Sequence, residues 1–118
     1  MVEDEEHLRQ FTAAILERAG FSVLQACDAN EAVEIWQRER SSIDLLLADI
    51  LIPGLSGPEI AREFLRSRPD LKVIFTSGND QDVVLETAYL VKGATFLQKP
   101  YTTAALVHAV RSAFDERS

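Results

Sequence analysis

With 118 residues, 47% hydrophobic content, a formal net charge of -7 and one cysteine, Cys27, the chain has the size and composition of one globular domain spanning 1–118. The acidic balance and a pI near 4.7 exclude a nucleic-acid-binding surface, which needs clustered Lys and Arg, and the lone cysteine excludes an internal disulfide framework. No apolar run approaches the roughly 18 residues of a membrane span, and the acidic start is unlike a signal peptide, so a soluble, cytoplasmic protein is expected.

In chain order, the acidic pair Glu3-Asp4 comes first, and Glu5 to Ala19 then reads as a helix with Leu8, Phe11, Ile15 and Ala19 on its buried face. Gly20 ends it as a C-cap. Phe21 to Cys27 is predicted as a strand, with Cys27 in the core. Asn30 to Arg40 is predicted as a helix opened by Asp28 or Asn30 and packing Trp36 against a sheet. Asp44 to Asp49 (DLLLAD) reads as a buried strand. Pro53-Gly54 marks a turn, Ser56 is a good N-cap for a helix from Gly57 to Arg66, and Pro58 suits its first turn. Leu71 to Thr76 (LKVIFT) is a second buried strand. Asp80 to Val91 is a weaker helix closed by Gly93, and Ala94 to Lys99 (ATFLQK) a third buried strand. Thr102 to Phe114 forms the last helix, with Leu106, Val107, Val110, Ala113 and Phe114 on its buried stripe, and Asp115 to Ser118 is expected to fray. His7 and His108 fall on different helices and form no metal constellation.

Short aliphatic runs alternating with helices imply an α/β fold with a parallel sheet and right-handed crossovers. All strand C-terminal ends of such a sheet lie on one edge, where ligand sites form. Glu3-Asp4, Asp49, Thr76 and Lys99 each end an apolar run, so they are expected to converge there. Together they supply what a carboxylate needs in order to accept a phosphoryl group. Three converging carboxylates repel one another unless a cation neutralises them, and Mg²⁺, a hard ion that prefers oxygen ligands, is the natural candidate.

The fragments VEDEEHLR, DLLLADILIPGLSG, FTSG and GATFLQKPY, in that order and at that spacing, resemble the receiver domain of two-component response regulators across almost the whole chain. The resemblance implies a flavodoxin-like, doubly wound, five-stranded parallel sheet in the order 2-1-3-4-5 with five helices. It implies that Asp49 is the phosphoacceptor, attacking the phosphorus of a phosphohistidine on a sensor histidine kinase or histidine phosphotransfer protein. Asp4 and Asp49 would ligate Mg²⁺ directly, Glu3 mainly through water, and Leu51 through its backbone carbonyl. Lys99 would supply positive charge to the phosphoryl group and precede a cis proline; Thr76 would donate its hydroxyl and Ser77 its backbone N–H. Thr76 and Phe96 would form the switch, and the last strand with its flanking helices the face for a downstream protein partner. The domain would be regulatory and not an enzyme beyond its own phosphorylation and dephosphorylation. Leu51 and Gly78 would flank the attacking water and slow hydrolysis, because neither side chain can hydrogen-bond it.

One departure stands out. An apolar strand of about five residues should precede the acidic pair in this family, and only Met1-Val2 does so here; the first strand is read as truncated. The explanation favoured is that the recorded chain lacks several residues of the natural strand; a strand that is truly short would argue for an alternative, a phosphorylation-independent pseudo-receiver acting as a protein-interaction module, against which the intact Asp49, Thr76 and Lys99 stand. A haloacid-dehalogenase-like phosphohydrolase would need a second Asp where Leu51 stands, and a flavodoxin would need a Ser/Thr-rich phosphate loop where VEDEE stands. The ending FLQKPYTTAAL is more similar to receivers of hybrid kinases.

Overall fold

The structure, a computed structural model, describes residues 1–51, 56–78 and 91–115. Its helices are α1 (Glu6–Arg18), α2 (Ala29–Glu39), α3 (Gly57–Ser67) and α4 (Thr103–Asp115), and its ladder strands β1 (Leu45–Asp49), β2 (Lys72–Ser77) and β3 (Thr95–Gln98). The expected Pro53-Gly54 turn, most of the helix expected over 80–91, and the end of the tail lie outside the described residues.

The three strands run parallel in the order β1-β2-β3, and in register Asp49 stands beside Thr76 and Ser77 beside Gln98. The order continues beyond β1. Val2 bridges Ala48 on one side and Ala26 on the other, both in parallel sense, so the chain start lies between β1 and the segment that follows α1. The five segments thus follow the doubly wound order 2-1-3-4-5, with the first two reduced to isolated bridges.

That reduction corrects one expectation: Phe21 to Cys27 is not a strand, and of its residues Ala26 alone is bridged. Its aliphatic and aromatic residues suit a strand, but a strand needs a ladder, and the partner contributes little more than Val2. The ladder there consists of Ala26 N–H to Met1 O at 2.9 Å, Glu3 N–H to Ala26 O at 3.0 Å and the Met1 nitrogen to Leu24 O at 2.8 Å. Cys27, expected in the core, is half-buried at the frayed end of this segment.

Each strand alternates its side chains between two apolar layers, as a sheet covered on both faces requires. Leu46, Ala48, Val73 and Phe75 join Trp36 and Phe64 from α2 and α3; Leu47 and Ile74 join Leu16 from α1 and Leu106, Val110 and Ala113 from α4. Trp36 stacks flat on Phe64 with ring centroids 4.2 Å apart, tying α2 to α3. The chain start obeys the same alternation, with Val2 in the first layer and Met1 against the second.

The helix termini follow their local chemistry. Asp28, one of the two candidates, caps α2 by accepting from Glu31 N–H, and Ser56 with Glu59 forms a reciprocal capping box at α3. Gly20 adopts φ +102°, the left-handed conformation that ends α1. The buried face of α1 differs from expectation: it is Thr12, Ala13 and Leu16, while Phe11 is 59% exposed. Apolar residues flank that helix on two sides, so periodicity alone left its rotation open. Small side chains at Thr12 and Ala13 take the inner face, and the Thr12 hydroxyl is satisfied by the Tyr101 hydroxyl at 2.8 Å.

Candidate functional site

The strand ends assemble one charged cluster. Asp49 closes β1, Thr76 lies next to the end of β2, and Lys99 follows β3 directly; each is carried to the same edge because an apolar run before it is buried in the sheet. Lys99 N–H donates to Ser77 O at 2.7 Å, which fastens the end of β3 to β2, and the Lys99–Pro100 peptide is cis, as the resemblance implied.

Lys99 is the hub. Its Nζ donates to Asp49 Oδ2 at 2.6 Å and to Glu3 Oε1 at 2.8 Å. Burial acts to lower its pKa, but the hydrogen bonds to Asp49 and Glu3 outweigh it, and the ammonium is held above its ordinary value. The other carboxylate oxygens take backbone donors: Leu51 N–H reaches Asp49 Oδ1 at 3.2 Å and Glu5 N–H reaches Glu3 Oε2 at 3.0 Å. Glu3 is buried at 5% exposure, whereas Asp4 is open to solvent.

Carboxylate oxygens of Glu3, Asp4 and Asp49 all lie within 4.8 Å of one another. Three carboxylates against one ammonium leave a formal charge of -2 at the cluster, and all the donors are hard oxygens, so the residues fit a divalent cation such as Mg²⁺. Thr76 and Ser77 are buried beside Asp49, at 3% and 8% exposure. Leu51 is 65% exposed at the rim. Phe96 is half-buried in β3, its ring 5.8 Å from that of Phe75.

Three contacts around the cluster carry no sequence signal strong enough to predict them. Arg9 donates to the Glu3 carbonyl at 3.0 Å, pinning the acidic pair to α1. Tyr101 bonds Thr12 across 89 residues of chain, and burial pushes its phenol pKa up. Gly57 packs so tightly under the cluster that a Cβ there would overlap the backbone carbonyl oxygen of Asp49. Its N–H donates to Ile50 O at 2.9 Å.

A domain of this fold, with acid, hydroxyl and lysine at the strand ends, belongs to a class of regulatory signalling domains. The model of the response regulator receiver domain matches residues 1–111, and the chain is a member of that family. It is 33% identical to the response regulator receiver protein CpdR of Brucella abortus over 110 residues, 93% of this chain and 90% of that one. It is 29% identical over 117 residues to the sensor kinase CckA of the same species, covering 99% of this chain and 12% of the kinase. Against the 48% of the RegX3 sensory transduction protein of Mycolicibacterium smegmatis that it matches, it is 30% identical. The chain therefore spans about half or less of some of the relatives it matches. A response regulator receiver domain protein from Clostridium thermocellum superposes with a TM-score of 0.87 at 32% identity, over 97% of this chain and 90% of that one.

Proposed function

We propose that the unit 1–118 is a single receiver domain in which Asp49 accepts a phosphoryl group from a phosphohistidine. The observation that carries this reading is the pairing of Asp49 with Lys99 Nζ at 2.6 Å, with Thr76 beside it in register. An Asp49 carboxylate oxygen attacks phosphorus, the phosphorus–nitrogen bond of the donor breaks, and the imidazole leaves with that electron pair to take up a proton. The product is an acyl phosphate. The donor protein is a sensor histidine kinase or a histidine phosphotransfer protein.

Lys99 contributes preorganised positive charge where negative charge accumulates on the phosphoryl oxygens. The Thr76 hydroxyl and Ser77 N–H donate to those oxygens. Asp4 and Asp49, with the carbonyl of Leu51, would hold Mg²⁺ directly and Glu3 mainly through water, and the ion would supply charge neutralisation when bound. Lys99 holds Asp49 in a fixed rotamer through Oδ2, and the Leu51 N–H steadies Oδ1. A phosphoryl group adds about -2 of charge and three acceptor oxygens. Thr76 then shifts toward it and Phe96 turns inward into the space left, presenting β3 and its neighbouring helices to a partner that binds one state better. In this reading the domain works in the cytoplasm, turns over only its own phosphate, and binds no nucleic acid itself.

Incubating the protein with Mg²⁺ and a small phosphodonor, acetyl phosphate or phosphoramidate, beside Asp49→Asn tests the reading by intact mass. The expected result is a Mg²⁺-dependent gain of one phosphoryl group that the variant lacks. No gain by a chain shown to be folded would favour a pseudo-receiver that signals by contact alone.

A further inference from the structure

Residues 99–102 join β3 to α4 and begin with Lys99. Both ends of this connector are tied to neighbouring backbone. At one end Lys99 N–H donates to Ser77 O at 2.7 Å; at the other, Thr102 accepts from Ala105 N–H on its hydroxyl and from Leu106 N–H on its carbonyl, each at 3.0 Å. Between them Tyr101 packs against the layer formed by Leu16, Ile74 and Leu106, and its hydroxyl lies 2.8 Å from that of Thr12 on α1.

Thr12 is 1% exposed on the inner face of α1, a place that a valine would fill as well. A hydroxyl buried there costs stability unless it has a partner, and the partner is Tyr101. The bond closes a circuit. Arg9, one turn before Thr12 on α1, holds the Glu3 carbonyl at 3.0 Å, and Lys99 Nζ holds the Glu3 carboxylate at 2.8 Å. From Glu3 through α1 to Tyr101, along the connector to Lys99 and back to Glu3, each link is a hydrogen bond or a short piece of chain. Asp49 is not a member of it. Lys99 therefore has an anchor that does not depend on the carboxylate that is to react.

We infer that Tyr101, through its bond to Thr12, is a positioning residue for phosphoryl transfer. The inference rests on the reading of Asp49 as the phosphoacceptor. As phosphorus approaches, the Lys99 ammonium passes from Asp49 Oδ2 to an oxygen of the incoming group, and its main-chain origin must not follow the moving partner. The circuit supplies that fixed origin. A displacement of ~1 Å at a group that meets the reacting atoms costs rate steeply. Tyr101 acts through Lys99 and not on the reacting atoms.

The test compares the 118-residue chain with Thr12→Val, Tyr101→Phe, the double variant and Thr12→Ser. The double variant is the control for folding, because two apolar groups facing each other leave no orphaned hydroxyl. With acetyl phosphate at saturating Mg²⁺, loss of either hydroxyl is expected to lower the phosphorylation rate constant of the folded protein by about tenfold. The double variant should lose no more than a single one, and Thr12→Ser should recover most of the rate. The Mg²⁺ dissociation constant should stay unchanged, since Lys99 and not the metal ligands is displaced. Losses that multiply in the double variant, or lower melting temperatures with unchanged rate constants, would overturn the positioning role. A second measurement needs no phosphorylation. In protein labelled with ¹³C at the lysine ε-carbon, the two Hε protons of Lys99 are expected to differ in shift while the side chain is held, and to merge in the variants lacking either hydroxyl. Lys99 signals unchanged by those variants would overturn the role even where Asp49 accepts phosphate. Failure of the Asp49 reading shows differently, as no mass gain by the unsubstituted chain.

Discussion

Two glycines near Asp49 differ in what they allow. Gly78 is exposed, and nothing lies within 4 Å of where its Cβ would be. Gly57 has no such room, and a side chain there must displace the backbone of Asp49 itself. Gly78→Asn is therefore expected to fold normally and, by placing an amide beside the attacking water, to change the rate at which the acyl phosphate hydrolyses by several-fold. Decay of the phosphorylated species after removal of the donor measures it, and an unchanged rate would remove Gly78 from any part in setting the lifetime. At this scale the sequence was most readable where a reactive residue ends an apolar run, as with Asp49, Thr76 and Lys99. The Thr12–Tyr101 bond and the Arg9 contact to Glu3 were not readable, because each depends on a neighbour that only the finished fold supplies.

Among the elements, α3 has the most complete local specification. Ser56 accepts from Glu59 N–H while the Glu59 side chain accepts from Ser56 N–H, with Pro58 in the first turn. Ser56→Ala is expected to lower stability by about 1 kcal/mol, read as a lower urea midpoint at unchanged slope. The same local rules found the Gly20 end of α1 and located β1, β2 and β3 within a residue or two. They failed for the segment 21–27 and for the rotation of α1, and the reason is common to both. A strand takes its hydrogen bonds from a partner elsewhere in the chain, and a helix with apolar residues around much of its girth is oriented by what it packs against. Arg68 illustrates the same dependence on distant chain: it donates to Arg40 O at 2.7 Å and Ile43 O at 2.9 Å, fastening the loop before β1 to the end of α3.

For the molecule as a whole, the net charge of -7 includes a concentration of carboxylates at one edge of the sheet that a single ammonium only partly offsets. A divalent cation bound there stabilises the folded state by mass action. Millimolar Mg²⁺ is thus expected to raise the melting temperature, EDTA to reverse the gain, and Asp4→Asn to shrink it; equal melting curves with Mg²⁺ and with Na⁺ at matched ionic strength would count against metal binding at this edge. The Lys99 hub has a further consequence for the order of synthesis. Its partners lie 96 and 50 residues earlier, so the ribosome releases the acidic pair first, Asp49 next and the lysine last of these groups. A nascent chain halted before β3 carries Glu3 and Asp49 without the ammonium that gathers them in the finished fold.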